Sequence, residues 1–126
     1  MNPINVITMP SLMLVAAGGA MGCVLRFMAI RGVSMLHGSN FPLGTMVVNI
    51  LGSLLIGAVL AKYGHEHSVR AFVVTGVLGG FTTFSAFSWD ALQLLQRGQA
   101  AQAAMYVLGS VGLSLAAVAL GYQWVK

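Results

Sequence analysis

Four long apolar stretches constrain the fold of this chain more than any other feature of its sequence. They cover about residues 10–35, 42–63, 69–95 and 100–124 of the 126 residues. Each is as long as the roughly 20 apolar residues that a helix needs to cross the hydrocarbon core of a bilayer. The polar segments between them are short, so consecutive helices are expected to be antiparallel neighbours. The sequence therefore predicts an all-α integral membrane protein with four transmembrane helices in one domain, residues 1–126.

The small number of charged residues supports the same fold class. Charged residues make up 6% of the chain, whereas a soluble domain carries about 25%. The mean hydropathy is +0.89, so the expected surroundings are a lipid bilayer. The six Lys and Arg residues form no basic cluster, and nucleic-acid binding is not expected. No positive segment precedes the first apolar stretch, and a cleaved signal peptide is not expected either.

The basic residues do not indicate one orientation in the membrane. With four spans, the side that holds the termini and the middle loop carries Lys62, Arg70 and Lys126. The other side carries Arg31 and Arg97, with Arg26 deeper in the first helix. Positive residues in short loops normally mark the cytoplasmic side, and three against two is no bias. Four small helices are also few to enclose a pathway. These two observations predict a chain that inserts in both orientations and forms an antiparallel homodimer.

The third stretch contains a sequence that disfavours a continuous helix. Gly79 and Gly80 are followed by the β-branched pair Thr82 and Thr83. An interrupted helix leaves backbone groups unpaired, which is tolerated at membrane depth only inside protein or along a cavity. Freed carbonyl groups are suitable ligands for a hard cation such as Na⁺. The sequence therefore predicts an interrupted third helix that is the functional centre of the protein.

Aromatic and hydroxyl side chains follow this interruption at helical spacing. Phe84 and Phe87 are three residues apart and share one face, and Ser85 and Ser88 share the adjacent face. Aromatic rings are electropositive at their edges. Two ring edges beside hydroxyl and amide donors would suit a small, hard anion.

The second and fourth stretches each carry a row of polar residues. Thr45 and Asn49 lie one turn apart on the second helix, and Asn49 is near the middle of its span. Two roles remain open for Asn49, because a membrane asparagine can form an interhelical hydrogen bond or offer its N–H groups to an ion. On the fourth helix, three hydroxyl groups share one face: those of Tyr106, Ser110 and Ser114.

The residue inventory argues against an enzyme. The two carboxylates are Glu66, in a loop, and Asp90, near the end of the third stretch. His65 and His67 flank Glu66, and a solvated loop is a better interpretation of this group than a metal site. The sequence contains neither a nucleophile set nor a phosphate-binding loop.

The motifs of the first three helices together resemble the Fluc fluoride channels, also called the CrcB family. The similarity covers nearly the whole chain in the right order, and the third-helix motif is highly specific. The motifs are Gly19-x-x-Gly22-x-x-x-Arg26, Gly44-Thr45-x-x-Val48-Asn49-x-x-Gly52 and Gly76-x-x-Gly79-Gly80-x-Thr82-Thr83-Phe84-Ser85-x-Phe87-Ser88.

This resemblance implies a fluoride-specific channel that exports fluoride from the cytoplasm through a bacterial inner membrane. It also implies an antiparallel homodimer with two pores and a central structural Na⁺, which the backbone carbonyls of Gly79 and Thr82 would hold. Arg26 would lie near the anion's vestibule. The other residues expected along the anion pathway are Thr45, Asn49, Thr83, Phe84, Ser85, Phe87, Ser88, Tyr106, Ser110 and Ser114.

Some positions depart from the pattern expected of the family. Ala86 stands where threonine is usual, and Asp90, which follows Trp89, stands where glutamate is usual. None of these changes removes an expected ligand, but they bear on conduction rate and on access to the pore.

Two other functions fit the sequence less well than a channel does. A proton-coupled small multidrug-resistance transporter would have a membrane carboxylate in its first helix, where this chain has Arg26 instead. A structural subunit of a larger membrane complex would have no need for three polar rows and an interrupted helix.

Overall fold

The computed structural model describes residues 7–126, and in this range the chain consists of helices joined by short loops. The expectation that no signal peptide is cleaved concerns residues outside the described range. Within residues 7–126, four spans are long and apolar enough to cross a membrane, and the third of them, His67–Gln96, is interrupted. The predicted four-helix membrane fold is thus confirmed. The helices are α1 (Met9–His37), α2 (Leu43–Tyr63), α3 (67–81), α4 (Phe84–Gln96) and α5 (Ala100–Val125).

Local sequence signals explain where the helices begin and end. The side chain of Thr8 accepts a hydrogen bond from the third helical residue of α1, and Pro10 lies in the first turn. Pro42 precedes α2 as its cap. Gly38 after α1 and Gly98 after α4 have φ angles of 91° and 75°, which favour glycine.

Glycine lets the helices pack backbone to backbone. The most extensive packing joins α1 to α3 and α2 to α5. A Cβ atom at Gly18 or Gly22 of α1 would collide with carbonyl oxygens of α3, and a Cβ atom at Gly57 or Gly121 would collide with carbonyl oxygens between α2 and α5. Small residues allow this close approach in membrane proteins. The Gly18–Gly22 pair therefore packs α1 against α3.

The first half of the third span differs from the expectation in two respects. Residues Arg70–Leu78 form a π-helix, which the sequence did not predict. Gly79 and Gly80 remain helical, and the chain leaves the helix only at Thr82. The glycine pair is therefore not the interruption itself. A Cβ atom at Gly80 would lie 2.7 Å from a carbonyl oxygen of α1, so this glycine serves helix packing.

The exterior of the bundle is apolar. Large side chains such as Leu36, Phe27 and Leu108 are more than 60% exposed, and the buried core of the single chain is small. A chain with this exterior and four spans of this length is a multi-pass membrane protein.

Candidate functional site

The interruption of the third span consists of two extended residues between α3 and α4. Thr82 has φ −90° and ψ 159°, and Thr83 has φ −152° and ψ 122°. The backbone N–H and the hydroxyl of Thr82 both donate to the carbonyl of Leu78 at 3.0 Å, which closes α3. The hydroxyl of Thr83 accepts a hydrogen bond from the N–H of Ala86 at 3.2 Å and caps α4. The two threonines thus end one helix and begin the next.

Asn49 of α2 holds this extended segment through two hydrogen bonds. Its Nδ2 donates to the carbonyl of Thr83 at 3.0 Å, and its Oδ1 accepts from the N–H of Thr83 at 2.8 Å. Asn49 therefore forms the interhelical hydrogen bonds that were one of its two possible roles. One N–H of the side-chain amide remains for another acceptor, because the amide group carries two donors.

The hydrogen bonds at the interruption release two backbone carbonyls. In a continuous α-helix, Gly79 would accept from the N–H of Thr83, and Thr82 would accept from the N–H of Ala86. Here the first N–H donates to Asn49 and the second donates to the hydroxyl of Thr83. The carbonyl oxygens of Gly79 and Thr82 therefore lack their helical partners.

A cavity of about 380 Å³ lies against the interruption. Ser110 is 4% exposed, and within residues 7–126 its hydroxyl has no hydrogen-bond partner. Ser114 is half-buried one turn further along α5. The cavity thus combines aliphatic and aromatic walls with a few polar groups. Among its lining residues are Asn49, Ser53, Gly79, Thr82, Thr83, Phe84, Phe87, Ser110 and Ser114.

The two phenylalanines of the cavity have different surroundings. Their ring centroids are 5.5 Å apart and the planes are inclined at 47°. Phe87 is 8% exposed and packs on Tyr106 at a centroid distance of 5.2 Å. Phe84 is 77% exposed, so the cavity reaches the surface of the single chain at this residue.

The third hydroxyl group of the α5 row lies deeper in the bundle. Tyr106 is completely buried, and its ring meets Phe41 edge-on at a centroid distance of 5.6 Å. Its hydroxyl donates to Oδ2 of Asp90 at 3.1 Å. Asp90 and Thr45 both line a second cavity of about 180 Å³. The Tyr106 side chain therefore lies between the cavity at the interruption, where Phe87 is, and this second cavity.

Comparison with known proteins identifies the family. The profile of the family described as "CrcB-like protein, Camphor Resistance (CrcB)" matches residues 13–122. The chain belongs to the CrcB-like family.

Curated relatives of this CrcB-like chain carry the name "Fluoride-specific ion channel FluC". The protein of Cereibacter sphaeroides (strain ATCC 17029 / ATH 2.4.9) is 50% identical over 117 residues, which are 92% of this chain and 94% of the relative. That of Rhizobium meliloti (strain 1021) is 49% identical over 117 residues, with coverage of 90% and 94%. The family resemblance predicted from the motifs is confirmed. These relatives are named as ion channels, and the prediction that the chain is not an enzyme is confirmed as well.

Some residues predicted for the pathway of this CrcB-like protein lie outside both cavities. Arg26 is half-buried on α1 and lines neither cavity. Ser85 has its hydroxyl 3.3 Å from that of Thr83, and Ser88 donates to the carbonyl of Phe84 in its own helix. The roles of these three residues in conduction stay predictions.

Asp90 was not among the predicted site residues of the CrcB-like chain, although the structure joins its carboxylate to Tyr106. A signal was available, because a carboxylate inside a membrane span is costly and usually marks a functional position.

Proposed function

We propose that this protein is a channel that exports fluoride across a bacterial inner membrane, as an antiparallel homodimer with two pores and a central Na⁺. The observation that carries this proposal is the extended segment that Asn49 holds beside a cavity with unpaired polar groups. It occurs in a chain about half-identical to proteins named fluoride-specific ion channels over nine-tenths of its length.

The polar groups of the cavity suit a small, strongly hydrated anion. A pore must replace the water of such an ion with several close donors and still let the ion leave. Neutral donors meet both requirements better than a fixed positive charge. Asn49 offers its second N–H, and Ser110 offers a buried hydroxyl with no partner in the described chain. The ring edges of Phe84 and Phe87 add electropositive surface to the same cavity.

The two released carbonyls support a structural cation. Gly79 and Thr82 both line the cavity, and both have lost the N–H that a continuous helix would supply. Neutral carbonyl oxygens at an interrupted membrane helix are the ligands that Na⁺ takes in such proteins. A bound Na⁺ would supply a positive field that favours anions in the interior. Each chain contributes one such pair, so two chains would contribute four carbonyls.

A second copy of the chain would complete the site. The interruption lies at the middle of the 30-residue third span. Unpaired carbonyls at this depth cannot face lipid, because lipid tails offer no hydrogen bonds. The cavity nevertheless reaches the surface at Phe84, which is 77% exposed. A partner that covers this face would remove the backbone polar groups from lipid, and the balanced basic residues on the two sides favour an antiparallel partner.

Efflux from proteoliposomes tests the function directly. Vesicles loaded with fluoride and carrying the purified protein are expected to release fluoride, as read by a fluoride electrode, and to retain chloride in a parallel assay. A structural subunit would release neither ion. Fluoride release no faster than from protein-free vesicles, or equal release of chloride, would contradict the proposal.

A reporter at the C-terminus tests the antiparallel arrangement. In cells, a tag after Lys126 is expected to be accessible from both sides of the membrane, in comparable amounts, because the chain inserts in both orientations. The matched control is a variant with Arg31→Gln and Arg97→Gln. It leaves Lys and Arg in the loops and termini of one side only, with Arg26 inside the first helix, and its tag is expected to become one-sided. A one-sided signal from the unaltered chain would show that dual insertion is wrong.

The two phenylalanines are expected to matter for flux separately. Phe84→Ile and Phe87→Ile each remove a ring edge from the cavity, and each is expected to lower fluoride efflux about tenfold or more. A tenfold decrease corresponds to a rise of about 1.4 kcal/mol in the free-energy barrier to ion transit. Phe84→Ile should leave the fold of the single chain almost unchanged, because the Phe84 ring is exposed within one chain. The control is Phe27→Ile on α1, which changes another exposed ring that does not line the cavity. Normal efflux in both cavity variants would refute the aromatic-edge interpretation.

A further inference from the structure

A third cavity, here called the apolar groove, lies between α1, α2 and α3 and has a volume of about 470 Å³. Its rim consists of Leu25, Met28 and Ala29 of α1 and Leu55 of α2, and the buried ring of Phe81 lies at its floor. Every residue described along the groove is apolar, whereas both other cavities carry polar side chains. These residues have no part in the function proposed above.

The apolar groove begins near the middle of the bilayer. Phe81 directly precedes Thr82, the first extended residue of the interruption, which lies at the middle of the third span. A Cβ atom at Gly22 would lie 2.9 Å from the backbone nitrogen of Phe81, so α1 reaches the same depth at Gly22. The groove residues of α1 continue from this level as far as Ala29, toward the end of the helix at His37. The groove therefore rises from the midplane toward one surface of the membrane.

Gly32 leaves space for the apolar groove to continue toward that surface. It lies one turn beyond Met28 on the same face of α1, and a Cβ atom at Gly32 would meet nothing within 4 Å. Leu36 follows one turn later and is exposed. The path along α1 from Leu25 to Leu36 is about 16 Å at 1.5 Å per residue. This is roughly half of the hydrocarbon core, which is the depth of one leaflet.

Neither water nor a second copy of the chain suits the apolar groove. A buried water needs several polar partners, and an empty groove would forfeit dispersion contacts along its whole lining. A second copy is needed at the cavity at the interruption, where released carbonyls must be kept from lipid. That cavity is bounded by α5 and the apolar groove by α1, and Leu78 lies between the two because it lines both. The apolar groove therefore stays open to lipid.

We propose that the apolar groove binds one acyl chain of a membrane phospholipid, with the end of the chain against Phe81. Side chains of three helices surround the chain end and hold it by dispersion contacts, so binding does not depend on the headgroup. The bound chain supports the last turn of α3, in which the N–H and the hydroxyl of Thr82 donate to the carbonyl of Leu78 at 3.0 Å. The inference goes beyond the proposed channel function and does not require it.

The test is photolabelling of the unaltered protein in bilayers that contain a phosphatidylcholine with a diazirine at the end of one acyl chain. Mass spectrometry is expected to find Leu25, Met28 and Phe81 labelled about threefold or more above Phe27, because protein surrounds a chain end inside the groove. Phe27 is the matched control, since it is exposed at the same depth of α1 and does not line the groove. Equal labelling of Phe27 and the groove would indicate ordinary annular lipid, and an unlabelled groove would indicate cover by a second copy. Either result would overturn the inference.

Ala29→Phe fills the apolar groove with a side chain of the protein. Labelling of Phe81 is expected to fall about fivefold or more, whereas Ala20→Phe, at an exposed position of α1 outside the groove, should keep it within about twofold. Unaltered protein stripped of phospholipid should unfold at a lower temperature than protein given back dioleoyl phosphatidylcholine. This difference should be smaller in Ala29→Phe, because its ring replaces the chain end. Unchanged labelling of Phe81 in Ala29→Phe protein that elutes like the unaltered protein would contradict the inference, whether or not the chain conducts fluoride.

Discussion

Replacement of Asn49 by aspartate is expected to reduce fluoride efflux about 100-fold or more, because it removes a structural donor and adds a charge of the wrong sign. The Nδ2 atom of Asn49 donates to the carbonyl of Thr83 at 3.0 Å, and a carboxylate oxygen there would face that carbonyl without a hydrogen. An unsatisfied polar pair in a membrane interior costs about 3 kcal/mol, which corresponds to roughly a hundredfold in rate. The measurement is initial fluoride efflux from liposomes with equal amounts of protein.

Two further variants separate the role of the Asn49 hydrogen bonds from the effect of charge. Asn49→Leu keeps the size of the side chain and loses both bonds to Thr83, so it is expected to lose flux as well. Ser53→Ala changes a residue one turn further along α2 that lines the same cavity, and it should conduct within about twofold of the unaltered protein. Undiminished efflux from Asn49→Asp would refute the pore role, and undiminished efflux from Asn49→Leu would show that the extended segment needs no support from α2.

Gly22→Val is expected to prevent folding of most of the protein. A Cβ atom at this position would collide with the carbonyl oxygen of Val77 and would lie 2.9 Å from the backbone nitrogen of Phe81. Backbone cannot move aside as a flexible side chain can, so α1 and α3 would have to separate. Overpacking of this kind costs about 3 kcal/mol or more. The measurement is the fraction of monodisperse protein after detergent extraction, and its decline with temperature.

Gly19→Val is the control for this prediction, because it makes the same change on the same helix. A Cβ atom at Gly19 would meet nothing within 4 Å. This variant should therefore extract and elute like the unaltered protein. If Gly19→Val is lost to the same extent as Gly22→Val, the loss of glycine in α1 matters in itself. If Gly22→Val extracts and elutes like the unaltered protein, the backbone contact between α1 and α3 does not limit stability.

The sequence by itself determined the class of the protein. A chain with 6% charged residues and four apolar stretches of membrane length has few alternatives to a helical membrane protein, because every backbone polar group must be satisfied without water. The glycine and threonine pairs also located the interruption of the third span to within a few residues. The motifs were specific enough to identify the family, since their order and spacing extend over three helices.

Only the tertiary structure decided how the site is held together. Asn49 lies 34 residues from Thr83 in sequence, and no local pattern states that its amide pairs with that backbone. The N–H of Thr83 donates to Asn49 instead of to the carbonyl of Gly79, so the release of the Gly79 carbonyl depends on a residue of another helix. The burial of Phe87 and the exposure of Phe84 likewise follow from packing, although both phenylalanines belong to the same sequence motif.

The contrast has one physical reason. Solvation and helix periodicity act on neighbouring residues, so they are encoded in composition and short-range pattern, and they predicted the spans. The hydrogen bond from Tyr106 to Asp90 and the backbone contact at Gly22 join residues of different helices, and their energies depend on how closely those helices approach. That approach is set by all the side chains between the helices together. The chain's membrane fold was therefore determined by its sequence pattern, and the support of its interrupted helix was decided by packing.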